Sequence, residues 1–373
     1  MILKSFEYSE IQNTEKYWVI KDFTLEKINL FTAKNATGKS RTIDAINWLS
    51  VLILDKGFKS NASYTVEFSD ESENYHYFLK IEEKKVSSEK LICNNKTLLS
   101  RDESGKGKIY TAQIGDIEFQ SPENKLAISR RDKIQYPYLE KIHEWANNLH
   151  FYSFGSTMNQ EYGKRLEGKN ASLGGDSDIP VEVFVVGNFE FDKKYKKAIL
   201  SSMRKIGYKL SDIDAERWLY LDRNVRSEDY TLFITEKDIK GLILQKEISQ
   251  GMFRAMSIII HLIYYAMMKI PVTILIDDIG EGLDFERSSK LIKLLIELAE
   301  KNKNIQLIMS TNDRFVMNNV PLEYWQVIQR SGGKCRVFNC RNSKEKFDEF
   351  QYMGLNNFDF LATDYISSKW KKT

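Results

Sequence analysis

The sequence predicts an α/β fold, and three observations carry that reading. In the last third, helical and strand patterns alternate: a helix over 253–269, a strand over 272–276, a helix over 286–300 and a strand over 305–310. Near the start, a strand over 27–32 runs through a small-residue loop at 33–37 into a helical pattern with Ile43, Ile46, Leu49, Leu52 and Ile53 on one side. Between 62 and 131, short strands at 64–68, 75–81, 109–114 and 117–120 are separated by polar turns, the pattern of an antiparallel β lobe. Strand–helix alternation is what a parallel sheet with covering helices requires.

The elements follow in order. Residues 1–32 alternate in the strand manner. A helix is expected over 138–149 and another over 193–206. Residues 156–180, rich in Gly, Asn, Ser and charge, read as a mobile loop. No internal repeat and no sustained heptads occur, which argues against a long coiled-coil arm.

Composition narrows the function classes. With 373 residues, 42% hydrophobic and 29% charged, the chain is no disulfide-stapled miniprotein, collagen or wholly disordered segment. Lys plus Arg number 55 and Asp plus Glu 52, a net charge of +3, too small for coating nucleic acid by charge alone. Cys93, Cys335 and Cys340 make no metal-ligand spacing and are expected to be reduced thiols. The first residues lack the apolar core of a signal peptide. The most apolar stretch, 255–270, carries Ser257 and His261 and falls short of the roughly 20 residues that span a bilayer. A cytoplasmic protein with no membrane partner is the expectation.

Two segments carry chemistry. Ala33-Lys34-Asn35-Ala36-Thr37-Gly38-Lys39-Ser40, followed by Arg41, lies between strand and helix. In a P-loop, backbone N–H groups cradle phosphates and the helix N-terminus adds its dipole. Lys39 would reach the β- and γ-phosphates and the Ser40 hydroxyl would ligate Mg²⁺. A bare Gly-Lys-Ser/Thr arises by chance in about one chain in five of this length, so the placement gives the motif its weight. Ala33 replaces the usual first glycine, which is acceptable only at negative φ. The second segment is the apolar strand at 272–276 running into Asp277-Asp278. A buried strand delivers its terminal carboxylates to the rim where ligands bind. Asp277 would hold Mg²⁺ and Asp278 would orient or deprotonate the attacking water; the plainer alternative is a solvated acidic turn.

Upstream stands Ser249-Gln250-Gly251 before an apolar helix, where Ser249 also suits a simple helix cap. Downstream come Gly280-Glu281-Gly282-Leu283-Asp284 and, after the next strand, Thr311-Asn312-Asp313. This order of phosphate loop, Ser-x-Gly, acidic strand, Gly-Leu-Asp turn and polar-ended strand resembles ATPases of the ABC/SMC superfamily, within it the compact bacterial OLD and RecF types. The resemblance covers residues 1–56 and 242–330 and implies a P-loop NTPase of ABC/SMC type using ATP and Mg²⁺. It implies a Walker A lysine and hydroxyl at Lys39 and Ser40 and a Walker B aspartate at Asp277. Ser249 and Gly251 match a signature contacting the γ-phosphate of a partner subunit, and Asp284 matches a dimer-contacting D-loop. Asp278 stands at the position of a catalytic glutamate, one methylene shorter. Asn312 stands where the family often has a switch histidine, and it cannot titrate near neutral pH. These departures imply slow hydrolysis. Gln120 and Gln113 are the candidates for a Q-loop residue, and Asp313 and Glu281 the reserves for the catalytic role.

In domain terms, 1–131 and 231–340 would form two nucleotide-binding lobes, 132–230 a helical lid or partner-docking insertion, and 341–373 a C-terminal tail. The 208 residues between Ser40 and Ser249 are too few for SMC arms, and the 61 after Asn312 too few for the TOPRIM nuclease domain of full OLD proteins. The leading expectation is therefore an ATP-dimerised switch, a homodimer or higher oligomer, controlling a separate nuclease or toxin effector in anti-phage defence. A RecF-type DNA-maintenance ATPase and an ATP-bound scaffold with negligible turnover stay open. A transporter motor fits the insertion and the strand-rich middle poorly.

Weaker signals remain. His76, His143, His150 and His261 are scattered, with His261 reading as a core histidine. Lys193-Lys194-Tyr195-Lys196-Lys197 and Lys369-Trp370-Lys371-Lys372 suit a nucleic-acid backbone or merely a solvated face. Ser129-Arg130-Arg131-Asp132-Lys133 faces nucleotide, DNA or solvent. Trp18 reads as a core aromatic or, less simply, as a stacking surface for adenine.

Overall fold

A computed structural model describes residues 1–10, 17–21, 23–70, 72–155, 180–217 and 229–366. The chain divides into two compact units, one of residues 1–149, 271–273 and 321–373, the other of 150–270 and 274–320. These boundaries differ from the lobes expected above.

In the first unit, hydrogen-bonded neighbours run from Ile28–Thr32 through Trp325–Ser331, Lys334–Phe338, Trp18–Lys21 and Ile2–Glu10, then through Ala62–Ser69, Asn74–Glu82, Lys85–Cys93, Lys96–Arg101, Lys106–Thr111 and Gly115–Gln120. Ile28–Thr32 pairs parallel with Trp325–Ser331, and Trp18–Lys21 parallel with Lys334–Phe338. The pairs from Ile2–Glu10 outward to Gly115–Gln120 are antiparallel. The meander is thus the expected β lobe, with two strands, Lys85–Cys93 and Lys96–Arg101, that the sequence pattern hid. Their inward positions include Glu89 and Arg101, whose side chains are fully buried and 3.8 Å apart. Glu89 accepts hydrogen bonds from the backbone N–H groups of Ala127 and Ile128 at 2.7 and 2.8 Å and from the Tyr77 hydroxyl at 3.1 Å. Charged letters at core positions break the alternation that marks a half-buried strand.

The helix Lys39–Ile53 buries Ile43, Ile46, Leu49, Leu52 and Ile53 completely, as its periodicity requires. The helix over 138–149 ends earlier than expected, at Asn147, and the chain turns into the strand Leu149–Ser153. Residues 341–366 are no mere tail. They form helices Lys344–Gln351 and Asn357–Ala362, whose Phe347, Phe350 and Phe360 pack together, with Phe360 against Trp325.

The strands Leu149–Ser153, Val272–Asp277 and Ile305–Ser310, which apart from Leu149, Val272 and Thr273 belong to the second unit, are neighbours in that order. The helix Gln250–Met268 is 19 residues long, three residues longer at its start than expected, and is apolar enough to cross a membrane by length and composition. It is instead largely buried in the protein, packed against helices Pro180–Phe191 and Lys193–Lys205. The expected insertion at 132–230 is only partly helical: it also holds the strand Leu210–Arg217, which pairs antiparallel with Tyr230–Glu236, itself paired with Ile243–Leu244. The expected mobile loop at 156–180 lies outside the described residues except for Pro180.

Candidate functional site

The expected site residues fall into two groups, one in each unit. In the first unit, the strand Ile28–Thr32 is wholly buried and ends in the loop at 33–38. Ala33 is buried and is not among the residues at positive φ, so alanine fits where the motif usually has glycine. The left-handed positions are Ala36, at φ 61°, and Gly38, at φ 109°. Gly38 is needed twice over: for that φ, and because a Cβ there would meet the Trp18 ring at 3.0 Å. Trp18 is fully buried, so it supports the loop from beneath and is a core residue, as the plainer reading held.

Lys39 begins the helix, is 6% exposed, and donates to the Ala33 carbonyl at 3.2 Å, arched over the loop it serves. Ser40 is exposed in the first helical turn, and Asn35 is exposed at the loop's tip. Thr37 Oγ1 donates to the Lys34 carbonyl at 2.8 Å. Arg41 is engaged with Glu10 and lies over the Trp18 ring at 4.9 Å. Lys34 pairs with Asp364 at 3.1 Å.

Two residues that the motif did not reveal hold the loop. Arg330 donates to the Ala36 carbonyl at 3.1 Å, and Cys335 Sγ lies 3.3 Å from the Thr37 carbonyl. Both sit on the hairpin of Trp325–Ser331 and Lys334–Phe338, some three hundred residues along the chain, so no local signal announced them.

In the second unit the acidic strand ends at Asp277, which is 9% exposed and accepts a hydrogen bond from Ser310 Oγ. Asp278 adopts φ 55°, a conformation rare for a residue with a side chain and concentrated at functional sites. Its N–H donates to Ser310 Oγ at 2.9 Å, and its Oδ1 accepts from Asn312 Nδ2 at 3.3 Å. The supposed water-positioning carboxylate and the residue at the switch position are therefore partners.

The turn that follows is locked from two sides. Gly280 and Gly282 have φ of 102° and 75°. A Cβ on Gly251 would come within 2.6 Å of the Gly282 carbonyl, and one on Gly282 within 2.1 Å of Arg254 Nη1. Arg254, a buried residue that sequence reasoning missed, donates to the Glu281 carbonyl at 3.1 Å, and burial lowers its pKa. Ser249 accepts from the Met252 N–H at 3.4 Å, and Asp284 from the Arg287 N–H at 2.9 Å, so both cap helices, the bland alternative for Ser249. That backbone hydrogen bond, with the Arg287 guanidinium, holds the Asp284 carboxyl below its usual range. Ser249, Asp284 and Asn312 are nevertheless all exposed. Asp313 caps the short helix Arg314–Asn318.

Several expectations need correction. Gln113 and Gln120 belong to the last hairpin of the meander, separated from Ile28–Thr32 by nine strands or nearly so, and do not approach the phosphate loop. Tyr195 is fully buried and donates to the Ile260 carbonyl, and Lys196 pairs with Asp212 and Asp214, so the 193–197 run is no aromatic-studded basic surface. The run at 369–372 lies outside the described residues. Arg131 pairs with Glu140 at 2.6 Å. Among the described residues no group of His, Cys, Asp or Glu is arranged to hold a metal on its own.

A family model described as "AAA domain, putative AbiEii toxin, Type IV TA system" matches residues 34–318. Among solved structures, an SMC head bound to the C-winged helix domain of ScpA is similar with a TM-score of 0.55 and 11% identity, over 91% of this chain and 98% of that one. An SMC head domain with an extended coiled coil, bound to the C-terminal domain of ScpA and derived from Pyrococcus furiosus, gives 0.53 and 10%, over 94% and 99%. At such identities the likeness is one of fold. No curated protein matches the chain.

Proposed function

This chain belongs to the AAA-domain family matched over residues 34–318 and has an ABC/SMC-type P-loop ATPase fold, and from that premise we propose that it is an ATP-dimerised switch acting on a partner protein. Lys39 and the N–H groups of 33–41 bind the phosphates. The Ser40 hydroxyl and Asp277 carboxylate are hard oxygen donors of the kind Mg²⁺ takes. Asp278, steadied by Asn312, positions the attacking water, and turnover is slow because Asn312 cannot exchange a proton near neutral pH.

The observation that carries the dimer is the locked turn of the second unit. The close approach of Gly251 to Gly282 fixes the start of a 19-residue helix beside the Gly-Leu-Asp turn, while Ser249, Asp284 and Asn312 stay exposed. A helix N-terminus held rigid and open to solvent favours an anion. A γ-phosphate presented by a second copy satisfies it, giving a two-fold dimer with shared sites. The family description, naming a toxin of a type IV toxin–antitoxin system, supports a defence setting. The similar SMC heads, each solved with a domain of ScpA, support docking of a partner protein on such a fold. A scaffold with negligible turnover is the second reading, favoured by the 3.3 Å Asn312–Asp278 contact.

Light scattering with non-hydrolysable ATP and Mg²⁺ tests the dimer. Wild type should double in mass. Ser249→Arg should remain monomeric while still binding ATP, and Ser249→Ala, which loses the cap without adding bulk, should dimerise. Dimerisation of Ser249→Arg as in wild type removes the signature assignment.

A further inference from the structure

A second surface, on the first unit, has a chemistry that nucleotide turnover does not use. Trp18–Lys21 and Lys334–Phe338 pair parallel, with Val19 beside Lys334 and Lys21 beside Arg336. Alternate residues of a strand share a face. Tyr17, Val19 and Lys21 therefore stand alongside Lys334, Arg336 and Phe338, and together they line a groove of about 530 Å³. Lys21, Lys334 and Arg336 are exposed, and Tyr17 and Phe338 are half-exposed. One edge is formed by Asn342 and Ser343, at the start of the helix Lys344–Gln351.

We propose that this groove binds single-stranded nucleic acid. Three cations on a strand pair neutralise successive phosphates. Two aromatic rings give bases a π-face to stack on, which accepts any sequence. A duplex hides its bases and gains nothing from Tyr17 or Phe338, and an acidic peptide gains the charge but not the stacking. The sequence offered basic runs at 193–197 and 369–372 for this role. The groove instead joins segments more than three hundred residues apart, neither of which is a basic run on its own. Cys335, between Lys334 and Arg336, lies with its sulfur 3.3 Å from the Thr37 carbonyl, so a ligand in the groove would rest on the strand that holds the phosphate loop.

The test is fluorescence anisotropy with a labelled twenty-nucleotide oligo-dT, without ATP, across a salt series. Wild type should bind at about 50 mM salt, and unlabelled oligo-dT should compete better than a duplex of equal length or polyglutamate. Lys334→Ala with Arg336→Ala should weaken binding more than tenfold and reduce the salt slope by about 1.4, at about 0.7 per phosphate contact. Phe338→Leu, which keeps the apolar bulk, should weaken binding about tenfold with the salt slope unchanged. Thermal melts confirm that the variants fold. Lys39→Ala should bind oligo-dT as wild type does, so failure of the nucleotide site and failure of the groove give different results. Absence of binding at low salt overturns the proposal, as does binding that these groove variants leave intact. Equal competition by polyglutamate would assign the groove to acidic proteins instead.

Discussion

The phosphate loop and the turn after the acidic strand both depend on left-handed backbone, and each secures it differently. The loop is a run of contiguous residues in which Ala36 and Gly38 adopt positive φ. It is held through its carbonyls by Arg330 and its neighbour Cys335, and through Gly38 by Trp18. The turn at 278–284 is held by the close approach of Gly251 to the Gly282 carbonyl and by the Arg254 hydrogen bond to the Glu281 carbonyl. The loop's two carbonyl tethers come from a hairpin some three hundred residues away, so they are open to adjustment by whatever touches that hairpin. The turn has one such polar tether, but its tightest constraint is steric, glycine against backbone. On the function proposed above, a loop closing on phosphate would tolerate adjustable tethers, whereas a surface meeting a second copy would benefit from a fixed shape.

The largest effect should come from the rigid side. Asp278→Asn keeps a side chain that accepts left-handed backbone, so the turn should survive. Removing the carboxylate should slow hydrolysis by roughly a hundredfold while ATP binding is unchanged. Single-turnover assays with saturating ATP and Mg²⁺ measure this. An Asn variant at the wild-type rate would move the catalytic role to Asp313 or Glu281.

Next comes the adjustable side. Lys39→Ala removes a buried, charge-assisted phosphate contact and should cost about 2 to 3 kcal/mol of ATP affinity with the fold intact. Calorimetry measures it, and unchanged affinity ends the phosphate-loop assignment. Arg330→Gln should act in the same direction but less, about fivefold, because it loosens only one loop carbonyl. Arg330→Lys should recover part of the loss. If both variants bind ATP as wild type does, the hairpin does not position the loop, and the contrast between adjustable and rigid supports fails.

Much of this was readable in the sequence, for physical reasons. The strand–loop–helix unit is local, and the helix from Lys39 shows its buried face as a plain 3.6-residue period. Asp277, Asp278 and the Gly-Leu-Asp turn are likewise contiguous. What escaped was long-range or disguised. Arg330, Cys335 and Arg254 act through backbone carbonyls, which leave no trace in side-chain patterns. The Lys85–Cys93 and Lys96–Arg101 strands carry buried charges inward, so their alternation reads as polar. The helices around Phe347 and Phe360 are short, and it is their mutual packing that stabilises them.

The smallest effect concerns how the two units respond to acid. In the second unit, His150 and His261 are buried side by side, with ring centroids 5.0 Å apart. His150 Nε2 lies 2.8 Å from the Tyr265 hydroxyl; His261 Nδ1 lies 2.6 Å from that of Tyr152 and 2.9 Å from the Ser257 carbonyl. Burial lowers both pKa values, that of His261 to about 4 from 6.5, so both rings are neutral in the folded protein. In the unfolded chain they take up protons below about pH 6.5. The unfolded state thus binds more protons between the two values, and stability present above pH 6.5 is lost progressively as pH falls toward 4. For His261 alone the loss from pH 7 to 5.5 is about 1 kcal/mol. His143, buried in the first unit with a lowered pKa, adds a loss of the same sign there. His261→Gln keeps a neutral hydrogen-bonding side chain and removes one titration. Its melting temperature should therefore fall less than that of wild type between pH 7 and 5.5, by about 2 to 4 °C. A variant with the wild-type pH slope would show that the His261 ring already exchanges its proton in the folded state, and that the second unit is less tightly closed around it than its burial implies.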